Sequence, residues 1–174
     1  MKRIMLILSL ILIGGCANVE DATNSAGTLV ATPTESTAVA KRFPNVDLTD
    51  LATGTKLKFG EIRKPVAITF WATWCATCKQ EMPLWSDPQL ASKMIGINVQ
   101  DASASEQLRK TALNLMQANQ TTFPSYVDVN DELTSKLGII GLPVTIVVDS
   151  AGNITKRKDG LLSQQELLSF IKNN

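Results

Sequence analysis

The chain has 174 residues, and its 17 lysines and arginines against 16 aspartates and glutamates leave a formal net charge of +1. This balance argues against the broad basic surface that binds nucleic acid or anionic membranes. The length is enough for one domain of ordinary size once any targeting segment is set aside.

The N-terminus has the features of a signal peptide. Lys2 and Arg3 precede Ile4–Ile13, an apolar run of ten residues that is too short to span a bilayer. Two glycines then lead into Cys16, a pattern that resembles the lipobox of bacterial lipoproteins. We therefore predict a lipoprotein signal peptide over residues 1–15 and lipidation of Cys16. The alternative is an ordinary secretory peptide with Cys16 incidental; both predict export.

The segment after Cys16 is predicted to be a tether. Residues 17–41 are mainly alanine, threonine, serine, asparagine and valine, without an aromatic residue. Such a composition buries too little apolar surface to offset the entropy lost on ordering. We predict that residues 16–42 form the lipidated cysteine and a flexible tether, and that residues 43–174 fold as one domain.

The domain begins with a predicted hairpin followed by buried strands. Asn45–Leu51 and Lys56–Phe59 flank a turn in which Gly54 accepts positive φ. The apolar run Pro65–Trp71 is typical of a central strand covered on both faces, and Met94–Val99 indicates a second buried strand.

Two helices are predicted in this half of the domain. The first begins at Cys75 and continues past Pro83, which kinks it because the ring removes a backbone donor. The second begins with a capping box of Ser103 and Glu106. The apolar face of this second helix is predicted to contact the core through Leu108, Ala112, Leu115 and Met116.

The second half of the domain alternates strands and helices. Ser125–Val129 indicates a short strand before a helix that ends at Gly138. Val144–Val148 is β-branched throughout, and Ile154–Lys158 is predicted to pair with it antiparallel.

The last helix completes the predicted fold. Ser163 and Glu166 form its capping box, and the residues predicted to face the sheet are Leu167, Leu168 and Ile171. Strands that alternate with helices and end in a hairpin and a helix indicate a three-layer α/β domain with a mixed sheet.

The cysteines Cys75 and Cys78 are three positions apart and lie beside tryptophans. Zinc needs four ligands, and the domain offers two thiols and no histidine, which argues against a metal site. A purely structural disulfide is also disfavoured, because so short a loop restrains the unfolded chain very little. The pattern favours a redox-active pair.

Position in the fold assigns the two thiols different roles. Cys75 follows a buried strand and opens a helix, where unpaired N–H groups and the helix dipole favour the thiolate, so we predict that it is the nucleophile. Cys78, one turn later on the same side, is predicted to resolve the mixed disulfide. Trp74 either offers a flat apolar surface to a partner chain or simply packs, whereas Trp71 is predicted to be core.

These motifs resemble the thioredoxin superfamily, and more narrowly its membrane-tethered TlpA-like, ResA-like branch, which includes thiol-disulfide reductases of cytochrome c maturation. The residues that carry the resemblance are Trp71–Cys78 (WATWCATC), Pro83, Gly141–Thr145 (GLPVT), Asp149 and Gly152. The resemblance covers residues 43–172. It implies a thioredoxin-like three-layer α/β/α sandwich with a mixed central sheet, an N-terminal hairpin and a TlpA-type βα insert over Met94–Gln120.

The resemblance also implies a substrate site. Pro143 is expected to be cis and to lie against the active-site sulfurs, while the backbone of Leu142 pairs with an extended substrate. The alternative for Pro143 is the start of an edge strand.

Departures from the family pattern bear on which residue accepts the proton of Cys78 and on which substrate is reduced. Thr69 stands where thioredoxin has a buried aspartate, and Glu81 matches an acidic position of the branch. Glu81 is therefore our candidate general base for Cys78, and a solvated glutamate paired with Lys79 or another neighbour is the alternative. Val144 replaces a glutamate that is frequent in cytochrome c maturation reductases, which leaves that substrate open.

The residues between the cysteines bear on the redox potential. Ala76 and Thr77 provide neither the histidine of strong oxidants nor the proline of the strongest reductants, which implies an intermediate to reducing potential.

The sequence thus predicts a monomeric, membrane-anchored extracytoplasmic thiol-disulfide oxidoreductase that reduces exported proteins. It is expected to need no cofactor beyond its redox-active disulfide, to bind no nucleic acid, and to receive electrons from a transmembrane thiol carrier. The alternatives are a disulfide oxidant or isomerase and a non-catalytic binding module. A thiol peroxidase is disfavoured because the Thr-x-x-Cys setting is absent.

Overall fold

The computed structural model describes residues 41–100 and 105–172. The predicted signal peptide, Cys16, Ser103 and the tether up to residue 40 lie outside the described residues. In these two ranges, no helix has both the length and the apolarity needed to cross a bilayer.

The described residues form a mixed seven-stranded sheet in the order β2-β1-β5-β4-β3-β6-β7. Strands β3, β4 and β5 run parallel, and every other neighbouring pair runs antiparallel. The strands are β1 (Asp47–Asp50), β2 (Lys56–Lys58), β3 (Val66–Trp71), β4 (Met94–Asn98), β5 (Ser125–Asp128), β6 (Val144–Val148) and β7 (Ile154–Asp159). The α-helices are α1 (Ala76–Glu81), α2 (Glu106–Ala118), α3 (Glu132–Leu137) and α4 (Gln164–Lys172).

Strand β3 divides the core into two clusters, because its successive side chains point to opposite faces. Ala67 and Trp71 belong to a cluster that also contains buried residues of α1, α2 and α4. Ile68 and Phe70 belong to the other, which contains buried residues of α3. All six residues of β3 are buried. The predicted central strand and three-layer α/β/α arrangement are thereby confirmed.

The two predicted antiparallel pairings are also confirmed. In the N-terminal hairpin Asp47 lies opposite Lys58, and Gly54 in its turn has φ +76°. At the other edge Val144 lies opposite Asp159. Both hairpins therefore flank the parallel strands.

The first helix differs from the prediction at its C-terminal end. We expected a kinked helix that continues past Pro83, but α1 ends at Glu81 and the chain goes on as a 3-10 helix over Met82–Ser86. Pro83 has no N–H to donate to the carbonyl four residues earlier, so the α-helical bonding stops there. The short α1 places Cys78 and Glu81 on its buried side.

The second helix corrects two predictions. Its N-cap is Ser105, whose hydroxyl accepts from the Leu108 N–H at 3.4 Å, so the cap is not Ser103. Leu108 is 40% exposed and does not belong to the core, whereas Ala112 is fully buried. The neighbouring residue explains the exposure of Leu108. The Arg109 guanidinium donates to the Leu51 carbonyl at 2.9 Å, so the first turn of α2 contacts the hairpin through Arg109 and not through Leu108.

The last two helices end and begin as predicted. Gly138 closes α3 with φ +60°, a conformation in which a side chain would be strained. Ser163 and Glu166 exchange hydrogen bonds at the start of α4, and Leu167 and Ile171 are buried against the sheet.

Candidate active site

The site lies where the central strand β3 leads into α1. Cys75 is the N-cap of α1, with an extended backbone at φ −73° and ψ 106°. Its Sγ accepts a hydrogen bond from the Cys78 N–H at 3.0 Å, the place that a capping oxygen fills in other helices. An N–H donor that points at this sulfur favours negative charge on it.

Cys75 and Cys78 form a disulfide with an S–S distance of 2.09 Å. Cys75 is 4% exposed and Cys78 has no exposed surface. An attacking sulfur must reach a substrate, whereas a resolving sulfur needs to reach only its neighbour. The difference in exposure therefore favours the predicted roles, with Cys75 as nucleophile.

A second loop, Ile139–Pro143, faces the disulfide. The Leu142–Pro143 peptide bond is cis, as the resemblance implied. The Thr77 hydroxyl donates to the Leu142 carbonyl at 3.0 Å and lies 3.3 Å from Cys75 Sγ. The structure thus brings together the predicted nucleophile and the predicted substrate-docking backbone. The sequence indicated Thr77 only as a residue that tunes the potential; its contact with Leu142 was missed.

Glu81 is buried on the inner side of α1, with 1% of its surface exposed. Its two carboxylate oxygens accept from the Leu162 backbone N–H at 3.0 Å and from Trp85 Nε1 at 3.3 Å. The alternative of a solvated glutamate paired with Lys79 is therefore wrong. Burial raises the pKa of Glu81 above its ordinary value of 4.5, and the two N–H donors offset part of that rise.

No hydrogen bond joins Glu81 to Cys78 within the ranges that the structure describes. Both residues nevertheless belong to the same buried side of α1, and Trp85 and Leu162 pack in the same core cluster as Cys78. The carboxylate is thus fixed in an apolar environment on the side of α1 that carries Cys78. Trp85 was detectable as the i+4 neighbour of Glu81, whereas Leu162 lies 81 positions away.

The loop before Cys75 is held by a residue that the sequence did not single out. Gln100 follows β4, and its Oε1 accepts from the Thr73 N–H at 2.9 Å and from the Thr73 hydroxyl. These bonds tie the loop to the neighbouring strand end. Thr69 is fully buried opposite Thr145, so the position of the thioredoxin aspartate carries no acid here.

The model of the AhpC/TSA family matches residues 39–157, which is more than half of the chain. The chain belongs to the AhpC/TSA family. Within the described part of this AhpC/TSA protein, no group of three or more histidine, cysteine, aspartate or glutamate side chains is placed to hold a metal ion.

Named relatives define the branch of the AhpC/TSA family. The thiol-disulfide oxidoreductase ResA of Bacillus thuringiensis subsp. konkukian (strain 97-27) is 28% identical over 144 residues, 81% of each chain. The sporulation thiol-disulfide oxidoreductase A of Bacillus subtilis (strain 168) is 27% identical over 134 residues, 74% of this chain and 79% of that one. The predicted ResA-like assignment is confirmed, and this AhpC/TSA protein is a thiol-disulfide oxidoreductase.

A solved structure supports the fold. The crystal structure of the pneumococcal exposed lipoprotein thioredoxin Etrx1, from Streptococcus pneumoniae strain TIGR4, has a TM-score of 0.62 and 17% identity. The match covers 75% of this chain and all of that one. Together with the layers and the sheet order, this likeness confirms the thioredoxin-like fold.

The two tryptophans of the AhpC/TSA motif have different environments. Trp71 is fully buried and donates to Ser125 Oγ at 2.9 Å, so its prediction as core is confirmed. Trp74 is 68% exposed, which argues against simple packing. It lines a cavity of about 310 Å³ together with Val99, Asp131, Thr134 and Ile139–Leu142. Ile140 in this lining is fully exposed. The surface beside the disulfide is therefore partly apolar and open to a partner chain.

Proposed function

We propose that this protein reduces disulfide bonds of exported proteins while anchored to the outer face of a bacterial cell membrane. The observation that carries the proposal is the Cys75–Cys78 disulfide at the N-terminus of α1, which Thr77 links to the carbonyl of Leu142, the residue whose peptide bond with Pro143 is cis.

The reaction begins with the enzyme in its dithiol form. The Cys75 thiolate attacks one sulfur of the substrate disulfide, the substrate S–S bond breaks, and the departing substrate sulfur leaves as a thiolate that takes up a proton. A mixed disulfide now joins Cys75 to the substrate. The Leu142 backbone aligns the extended substrate strand, and Trp74 covers an apolar side chain of it.

The second step releases the substrate. Cys78 transfers its proton to the Glu81 carboxylate and attacks Cys75 Sγ, which breaks the mixed disulfide and expels the second substrate thiolate. The products are the Cys75–Cys78 disulfide and a substrate dithiol, so two electrons pass from enzyme to substrate. A transmembrane thiol carrier returns the enzyme to its dithiol form by the same exchange chemistry.

Disulfide-bonded exported proteins are the proposed substrate class, and apocytochrome c is one candidate within it. The relatives ResA and the sporulation oxidoreductase are named thiol-disulfide oxidoreductases, which supports the chemistry but not a particular substrate. Val144 fills the position after the cis-proline with an aliphatic side chain that is 1% exposed. This position therefore offers no charge with which to select a partner.

The redox potential of the Cys75–Cys78 couple tests the direction of the reaction. We expect a value below about −180 mV, the level of protein disulfide isomerase, because no histidine stabilises the Cys75 thiolate. The potential is measured by equilibrating the protein with glutathione or dithiothreitol buffers and trapping free thiols for mass spectrometry. A value well above that level would favour the alternative of a disulfide oxidant or isomerase.

The proposed anchor is a lipid on Cys16, supported by the apolar run and the two glycines before it. The Cys16→Ser variant of the full chain, expressed in a bacterium, is expected to leave the membrane fraction while keeping its disulfide-reducing activity. The fractions are compared by immunoblot. A variant that stays in the membrane fraction as the wild type does would exclude the lipid anchor.

A further inference from the structure

One hydroxyl group lies between the nucleophile and the substrate-docking loop. Thr77 Oγ1 is 3.0 Å from the Leu142 carbonyl oxygen and 3.3 Å from Cys75 Sγ. A threonine hydroxyl has a single proton and can donate it to only one of these acceptors at a time. The two contacts therefore compete.

The charge on Cys75 decides this competition. In the disulfide form the sulfur is neutral and a weak acceptor, so the proton goes to the Leu142 carbonyl, as the structure has it. In the dithiol form a Cys75 thiolate is an ionised acceptor, and hydrogen bonds to ionised groups are roughly twice as strong as neutral ones. A rotation of the Thr77 hydroxyl then transfers the bond to the sulfur and frees the carbonyl.

We propose that Thr77 couples the redox state of Cys75 to the docking of substrate at Leu142. The proposal rests on the function proposed above, in which an extended substrate pairs with the Leu142 backbone. With the thiolate present, the Leu142 carbonyl has no donor from Thr77 and is a stronger acceptor for an N–H of the substrate. Once the Cys75–Cys78 disulfide has formed, Thr77 occupies one of the two lone pairs of that carbonyl, which weakens its bond to the substrate and favours release of the reduced substrate.

Thr77 is the donor suited to this role. Within the described residues, Cys75 Sγ has one other hydrogen-bond contact, with the Cys78 N–H at 3.0 Å. That backbone group is fixed by the helix and cannot turn towards Leu142. The Thr77 side chain is exposed on α1, and its hydroxyl hydrogen can turn about the C–O bond between the two acceptors, whereas its neighbour Ala76 has no polar side-chain atom. Thr77 is thus a positioning residue, since it acts through the sulfur and the carbonyl.

The test compares peptide affinity in the two redox states. A blocked, extended peptide of alternating valine and serine cannot react, and its Kd is measured by NMR titration of the fully oxidised and fully reduced protein at a pH above that of thiol ionisation. We expect the reduced wild type to bind about two-fold to five-fold more tightly, because a carbonyl bonded to Thr77 is a weaker acceptor and a whole hydrogen bond is worth about five-fold. In Thr77→Val the oxidised form should bind as tightly as the reduced form, and the ratio should fall to about one.

Two variants separate this effect from a structural one. Thr77→Ser keeps the hydroxyl and should restore the wild-type ratio. Thr111→Val makes the same substitution on the exposed face of α2, where the hydroxyl donates to the Gln107 carbonyl at 2.8 Å, and should leave the ratio unchanged. Ultraviolet titration of the Cys75 thiolate supplies a second readout: Thr77→Val should hold about five-fold less thiolate than Thr77→Ser below the pKa of the thiol.

Each outcome bears on one of the two proposals. The role of Thr77 is overturned if Thr77→Val keeps the wild-type ratio of the two Kd values. It is also overturned if the wild type binds the peptide equally in both redox states, or shows no saturable binding. The reductase function is judged separately, from wild-type reduction of a protein disulfide. A wild type that reduces disulfides but binds the peptide equally in both states retains the proposed function and loses this inference.

Discussion

Replacing Cys75 with serine is expected to abolish disulfide reduction, whereas replacing Cys78 with serine is expected to stop the reaction at a mixed disulfide. A hydroxyl in place of the Cys75 thiolate cannot attack, so turnover should fall on the order of 10³-fold or more. In Cys78→Ser the slightly exposed Cys75 still attacks, but nothing resolves the complex. Turnover is measured with a disulfide-bonded protein, and the trapped complex is identified by non-reducing electrophoresis and mass spectrometry.

Cys16→Ser is the matched control for this pair, because it makes the same substitution at a cysteine outside the domain. It should reduce the same substrate at the wild-type rate. A covalent complex that accumulates in Cys75→Ser instead of Cys78→Ser would reverse the assigned roles. If both single variants still hold a partner without covalent trapping and the wild type shows no turnover, the protein is a binding module and not a reductase.

The core strands could be predicted from sequence because each is a continuous run of apolar or β-branched residues, and such a run indicates a buried strand. Val66–Trp71 and Val144–Val148 are continuous apolar or β-branched runs, and both are central strands of the sheet. The redox-active pair was predictable from the short Cys75–Cys78 motif and its place after a buried strand. The cis peptide before Pro143 was predictable only through the family resemblance.

Long-range contacts were the part that the sequence could not supply. Thr77 meets Leu142 across 65 positions, and Glu81 meets Leu162 across 81. No periodicity links such residues, because the contacts exist only after α1, the cis-proline loop and the start of α4 have packed on the sheet. The prediction for Leu108 was wrong for a related reason. Its helical spacing suggested burial, but Arg109 is the residue of that turn that contacts the hairpin, and Leu108 remains exposed to solvent.

The environment of Glu81 follows from the same packing and gives its carboxylate two properties at once. Taking a carboxylate out of water disfavours its charged form, which raises the pKa. The Leu162 and Trp85 N–H groups fix the orientation of the carboxylate. They also stabilise its charged form, which offsets part of the rise in pKa. A base with a raised pKa binds a thiol proton more readily than an ordinary glutamate does. Under the proposed mechanism, burial therefore supplies the raised pKa that a base for Cys78 needs.

Replacing Glu81 with glutamine is expected to slow the resolving step on the order of 10²-fold, the scale on which a general base contributes. The first step should be unaffected, because Cys75 is stabilised by the Cys78 N–H rather than by Glu81. A mixed disulfide should therefore accumulate transiently in Glu81→Gln. In the wild type the resolving rate should fall as the pH drops through the raised pKa of Glu81, at a higher pH than an ordinary glutamate would give. Rapid-quench kinetics separate the two steps.

Stability against pH shows whether Glu81 titrates as proposed. The folded-state pKa lies above the unfolded one, so the native protein binds more protons in the window that starts near 4.5 and extends upward. The free energy of unfolding of the wild type should therefore decrease, relative to Glu81→Gln, as pH rises through that window. Urea titrations at several pH values measure the difference.

Glu106→Gln is the matched control, because its carboxylate is largely exposed and its pair with Arg109 is a surface ion pair of small effect. It should leave the resolving rate at the wild-type value. Equal resolving rates in Glu81→Gln and wild type would remove Glu81 from the mechanism. If Glu81→Gln nevertheless loses the pH dependence of the free energy of unfolding, the Glu81 carboxylate is a buried structural group. In that case Cys78 passes its proton directly to solvent.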